Sequence, residues 1–308
     1  MDRSRVYLGA ALMVLAMGWG VTIPLTKIAV STGHNFAGLI FWQLVIGVLV
    51  MVPISLIRRR KLPLSKPALK TYLVIALIGT LVPNSASYQA IAHLPSGVVS
   101  VLMSLIPIIA FPIALGLKLE AFNLRRLGGL LVGLTGVLIL ILPNASLPEA
   151  AMLAWIPVSL VSVTCYAFEG NYVAKWGTGG ADPIQVLLGA SLVGALIAAP
   201  VVIATDTFIS PLRVWGAPEI ALVVSSTIHV LVYSGYVWMV GRAGPVFAVQ
   251  ISYPVTGFGV IWAMVLLGEN YPSTFWVAMV LVLAGVFLVQ PRNKPALVPG
   301  AKDRQNIT

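Results

Sequence analysis

Charge is scarce in this sequence: Asp, Glu, Lys and Arg make up only 9% of its 308 residues. A soluble domain carries about 25%. So few charges cannot coat a water-facing surface, which excludes an ordinary soluble protein. Cysteine is nearly absent too. Cys165 stands alone, so neither an internal disulfide nor a cysteine metal cluster can form. It sits in an apolar run and reads as a small core residue. Acids are missing from the middle of the apolar runs, with one exception discussed below. All four Asp (Asp2, Asp182, Asp206, Asp303) lie in loops or near the termini. Neither an HExxH pattern nor a GxxxxGK[ST] loop occurs, which argues against a zinc hydrolase and an ATP-driven pump. An intramembrane enzyme would need a nucleophile–base pair. Ser100 and Ser104 lie in an apolar run, and nothing brings His229 to either. No catalytic residue, metal or other cofactor is expected, and the chain is not read as an enzyme.

What the chain has is apolar surface: 59% hydrophobic residues and a mean hydropathy of +0.98. The apolar runs are unbroken at odd and even positions alike. A transmembrane barrel would alternate, so spanning helices are predicted. The fold class is an all-α integral membrane protein. Ten spans are predicted, at roughly 6–31, 37–57, 71–93, 96–118, 124–143, 151–175, 182–204, 216–241, 245–267 and 273–290. The first run is too long for the h-region of a signal peptide and is read as a span. The net charge of +10 could point to nucleic acid in a soluble protein, but here the basic residues flank apolar runs. With the N-terminus inside, seventeen Lys and Arg fall in inner segments, Arg213 alone falls in an outer loop, and Lys27 falls within a span. By the positive-inside rule both termini face the cytoplasm. No nucleic-acid partner is expected; the lipid bilayer is. The polar, basic segment 291–308 reads as a disordered cytoplasmic tail.

One stretch occurs twice. Gly97–Glu120 and Gly244–Glu269 each open on Gly, carry a Pro ten residues on, at Pro107 and Pro254, and close on Glu. The register extends outward. At an offset of 147, Trp19 falls on Tyr166, Gly47 on Gly194 and Pro53 on Pro200; at 149, Glu120 falls on Glu269 and Gly136 on Gly285. The unit is five spans, residues 1–145 and 146–290. An odd number of spans turns the second copy over, so a five-plus-five inverted-topology repeat is predicted.

These features resemble the drug/metabolite transporter superfamily and, within it, the EamA family. The residues that carry the resemblance are Gly18-Trp19-Gly20 with Lys27, the Gly97…Ser104…Pro107 stretch before Glu120, and its echo Gly244…Pro254…Gly268-Glu269. The resemblance implies a ten-helix inverted repeat around a central cavity. It also implies a bacterial inner-membrane location and a secondary transporter of a small metabolite, with export favoured. Relatives often carry Arg near Gln43; this chain keeps a hydrogen-bonding group there without the charge.

Polar groups within spans are costly and tend to face a cavity or a partner. Glu169 is the one acid well inside a span. It is read as a proton carrier or the contact for a cationic substrate group, against a neutral carboxyl in a helix contact. Lys27 is read as an anionic-substrate or Glu169 contact, or as a side chain snorkelling to the interface. His229, Tyr233 and Tyr236 step by four and three along one face. With Trp19 and Tyr166 they are candidate cavity-lining residues. Gln43, Asn84, Tyr88, Gln89, Gln250 and Tyr253 complete the set for substrate binding or coupling. Pro107 and Pro254 are expected to kink their helices. Glu120 and Glu269 are expected to complement the N-terminus of the helix that follows each. His34 and His93 are expected to be solvated at span ends. The resulting prediction is alternating access, with the substrate's own gradient or protons as the driving force. An uncoupled facilitator or channel is the alternative.

Overall fold

In the computed structural model the protein is described for residues 3–31, 33–141 and 150–290. The predicted boundary at 145/146 and the 291–308 tail lie outside the described residues. Among the described residues there is no strand. The helices in order are α1 (Arg3–Val30), α2 (Phe36–Ile57), α3 (Lys66–Ile75), α4 (Val82–His93), α5 (Ser96–Met103), α6 (Ile106–Gly116), α7 (Leu124–Ile141), α8 (Trp155–Trp176), α9 (Pro183–Ala204), α10 (Ala217–Ala243), α11 (Pro245–Ala248), α12 (Ser252–Leu267) and α13 (Ser273–Val289). Among the described residues, eight helical stretches are long and apolar enough to cross a membrane, and two shorter apolar helices, α12 and α13, follow them.

Local chemistry sets many of the ends. Asn35 accepts the Ala37 amide at 2.9 Å and starts α2. Asp182 accepts the Ile184 and Gln185 amides while Gln185 accepts the Asp182 amide, a reciprocal cap at the start of α9. Three stretches are not continuous helix. A π-helical segment, Ala76–Leu81, joins α3 to α4. In an α-helix the Gly79 carbonyl would receive the amide of residue 83, but that residue is Pro83 and has no N–H. The wider turn just upstream, where the Val82 amide reaches the Leu77 carbonyl, fits that gap. The two repeated stretches are broken as well. The first is interrupted at Ser104–Leu105, with Pro107 in the first turn of α6. The second passes through a 3₁₀ turn, Val249–Ile251, with Pro254 in the first turn of α12. At the 147 offset Ser104 falls on Ile251, so the interruptions coincide.

The helix pairs come in matched sets. α2 packs on α9 and α7 on α13, each the counterpart of the other. α1 packs on α10 and α12, while its counterpart α8 packs on α4 and α6. The α7–α13 contact is close because Gly129 and Gly133 meet Gly285. A Cβ on Gly285 would lie 2.6 Å from the Gly133 amide nitrogen. Ser96–Gly116 is the most deeply buried of the eight long stretches. Val98, Val99, Val101 and Leu102 on it are fully buried and anchor the main core.

Candidate functional site

A polar network joins α2, α4 and α8. The Gln43 side-chain carbonyl accepts the Asn84 amide at 3.1 Å and the Tyr88 hydroxyl. Asn84 in turn accepts the Tyr166 hydroxyl at 2.8 Å. The Asn84 amide and the two tyrosine hydroxyls each have a named acceptor, which is how buried amides and phenols avoid the cost of desolvation. Gln43 and Asn84 belong to the first copy and Tyr166 to the second, so the network crosses between them.

Glu169 sits one turn beyond Tyr166 on α8. Its carboxylate rests against the π-helical segment: a Cβ added to Gly79 would lie 2.7 Å from the carboxyl carbon and under 3 Å from both oxygens. Among the described residues no hydrogen bond or ion pair reaches Glu169. Tyr166 and Tyr233 lie within its electrostatic range. It is enclosed by protein yet partly exposed, as a side chain lining an internal space would be.

The aromatic set lies on α1 and α10. Trp19 meets His229 edge-on at 5.9 Å between ring centroids and Tyr236 at the same distance. Tyr233 lies on the same helix, between His229 and Tyr236. The remaining candidates are placed elsewhere. Gln89 folds back to the Ser85 carbonyl of its own helix at 2.9 Å. Gln250 is exposed. The Tyr253 hydroxyl is buried with no hydrogen-bond partner among the described residues.

Lys27 stands at the break between α4 and α5. Its ammonium donates to the Ala92 and Leu94 carbonyls at 3.0 and 3.1 Å, closing the C-terminal end of α4, and its charged neighbour is Glu269. A cation there complements the negative end of the helix dipole. Glu269 answers on the other side of the break. It accepts the Ser96 amide at 2.8 Å and the Gly97 amide at 3.2 Å, and the Tyr271 hydroxyl donates to it. Burial, and then the neighbouring carboxylate, push the Tyr271 hydroxyl's pKa up, so it remains a donor. The expectation that Glu269 serves the helix after it therefore needs correcting: it serves α5, a helix of the other copy. Glu120 forms an ion pair with Arg126 at 2.9 Å instead. His34 is not solvated; it meets Glu219 at 2.9 Å with only 13% of its side chain exposed. His93 stacks on Trp155 at 3.7 Å.

An open cleft of about 550 Å³ lies away from this network, lined by residues such as His34, Asp206, Thr207 and Arg213. His34 and Arg213 both already reach Glu219, so the cleft offers no unanswered charge from them. The network beside Glu169 is chemically the more telling place. Sequence reasoning missed Gly79, which touches Glu169, and Ser162 and Asn171, which tie α8 to the Pro83 and Ala110 carbonyls at 2.7 and 3.1 Å. The Gly79–Pro83 spacing was the available signal for the first; Ser162 and Asn171 had none.

The EamA-like transporter family matches the chain twice, over residues 7–142 and 153–290. The chain belongs to this family. It is 22% identical to an uncharacterized inner membrane transporter, YedA, of Escherichia coli K12, over an alignment of 318 residues that covers 98% of each chain. It is 21% identical to the WAT1-related protein At5g40240 of Arabidopsis thaliana over 301 residues, covering 86% of this chain and 81% of that one. A solved structure titled "Crystal structure of protein" matches with a TM-score of 0.61 and 17% identity, covering 91% of this chain and 96% of that chain. That likeness concerns the fold alone. As an EamA-family member, the protein is a multi-pass membrane protein of a transporter family, consistent with the drug/metabolite transporter superfamily.

Proposed function

We propose that this protein is a secondary active transporter that moves a small organic metabolite by alternating access between two five-helix halves, and that its site lies between α1, α2, α4, α8 and α10. The observation that carries this reading is the Gln43–Asn84–Tyr88–Tyr166 network. It spans both copies of the family unit beside the unpartnered Glu169 carboxylate. Two halves that move against each other would remake such a junction, whereas a passive scaffold has no use for an unanswered carboxylate within the membrane.

The matched helix pairs support the inverted arrangement. Exchanging the copies turns the α1–α10 contact into α8–α4 and α1–α12 into α8–α6, as a two-fold relation requires. Five spans per unit would place that axis in the membrane plane. On this reading α12 and α13 complete ten spans, both termini face the cytoplasm, and Glu169 carries the coupling proton. Export is the direction favoured by the family resemblance. Purified protein in liposomes carrying an imposed proton gradient tests the reading. Accumulation of a solute against its own gradient supports coupled transport. Equilibration without accumulation supports the facilitator, and no movement across a broad metabolite panel rejects transport.

A further inference from the structure

We propose that Glu169, seated on Gly79 one turn along α8 from Tyr166, is the subsite for a cationic group of the transported molecule: an organic ammonium ion with an apolar body. This rests on the transport reading and names the chemistry of its substrate. Four observations converge. First, the network's bonds run among its own members and none reaches Glu169: Asn84 and Tyr88 donate to Gln43, and Tyr166 donates to Asn84. Second, the cations that could have answered it are engaged elsewhere. Lys27 closes α4, and Lys175, six residues on along the same helix, donates to the Leu117 carbonyl at 3.2 Å and lies over the Trp176 ring. Third, the wall facing the carboxylate is glycine backbone in a π-helical turn, a feature that recurs at functional sites. Glycine leaves the room that the carboxylate occupies. Fourth, Tyr166, one turn away on the same helix, and the Trp19–Tyr236 pair where α1 meets α10 offer flat faces and apolar area.

An ionised carboxylate within a membrane bundle needs a neutralising partner. No fixed side chain supplies one among the described residues, so a mobile one must. A proton meets the charge alone. An ammonium ion meets the charge and also brings donors to an acceptor that has none. An anionic substrate would meet repulsion from an ionised Glu169, and Gln43 brings no countercharge.

The test uses full-length protein in detergent and three probes that share a phenylethyl body: 2-phenylethylammonium, its neutral isostere 2-phenylethanol and anionic 3-phenylpropanoate. Calorimetry should show the ammonium bound about tenfold or more tightly than the alcohol, with the carboxylate bound weakest. Glu169→Gln, an isosteric change, should erase the preference for the cation. Gly79→Ala should weaken ammonium binding about tenfold, because its methyl group takes the carboxylate's place. If that variant fails to fold, Glu169→Gln decides alone. A wild-type protein that binds the alcohol as well as the ammonium, or binds none of the three, overturns the subsite. So does a Glu169→Gln variant that keeps the preference. Uptake into liposomes separates this failure from that of the transport reading. Ammonium binding through Glu169 without accumulation leaves the subsite standing and rejects coupled transport. Accumulation of a neutral or anionic solute, unchanged in Glu169→Gln, does the reverse.

Discussion

Two carboxylates in one bundle have opposite surroundings. Glu269 is saturated: two backbone amides and a tyrosine hydroxyl point at it, and Lys27 lies near. Glu169 has no hydrogen-bond or ion-pair partner among the described residues. The first arrangement uses charge to hold two helix ends together across the Leu94–Pro95 break. The second leaves charge available. A fully satisfied carboxylate is a structural part, and removing it should cost stability. An unsatisfied one is tolerated only if a ligand answers it, and removing it should cost function.

The sharpest way to break this comparison is to change both. Glu169→Gln should abolish proton-coupled accumulation in liposomes while the thermal midpoint in detergent stays unchanged or rises. Retained coupling with an unchanged pH profile would place Glu169 with Glu269 as a structural residue. Glu269→Ala should lower stability by about 2 kcal/mol, since it strands the Ser96 amide and the Tyr271 hydroxyl proton, while the Gly97 amide keeps the Tyr271 oxygen at 2.9 Å. Chemical unfolding in mixed micelles measures that loss. A neutral result would mean that the amides find other acceptors and that the clasp holds nothing. Lys27→Met should cost about 1 kcal/mol through the lost helix-end contact and leave the substrate preference intact. A changed preference would return Lys27 to the binding site.

The smallest effect concerns a charge pair outside the spans. Asp182 meets Arg58 at 3.1 Å across the two copies. Burial by itself would raise the Asp182 carboxyl's pKa. Hydrogen bonds from Arg58 and the Gln185 and Ile184 amides, together with the Arg58 charge, outweigh burial and hold it below the usual carboxylate range. The unfolded chain therefore takes up this proton more readily. The pair's contribution is present at neutral pH, above the unfolded value, and is lost as pH falls through the folded one. Both partners are partly exposed, so it amounts to about 0.5 kcal/mol. Arg58→Gln should flatten the acid limb of the stability profile by that amount.

The two copies differ where Glu120 and Glu269 are compared. They share a place in the repeat, yet Glu269 binds backbone amides across the copies and Glu120 binds Arg126 close by in the chain. Sequence register found both residues and assigned them one role. The role diverges because a helix N-terminus lies within reach of one carboxylate and an arginine within reach of the other. Lys27 and Glu169 tell a similar story. Both stood out as rare charges in apolar runs, and a salt bridge between them was a reasonable expectation. They serve different ends because Lys27 meets the carbonyls of a broken helix before it can meet another charge.

Composition, hydropathy and register determined that this chain is a helical membrane protein built from two related units. Those properties follow from the solvent: a bilayer demands apolar helices, and a repeated unit leaves its Gly, Pro and Glu at repeated positions. The stretch around Trp19, the network members Gln43, Asn84, Tyr88 and Tyr166, and the odd Glu169 were all visible as polar groups in apolar runs. Tertiary structure alone decided which of them meet. It set Gly79 beneath Glu169, committed Tyr166 to Asn84, and turned Lys27 and Glu269 to the ends of the broken helix. Hydrogen bonds join atoms far apart in the chain, and no local pattern records which buried donor will find which acceptor.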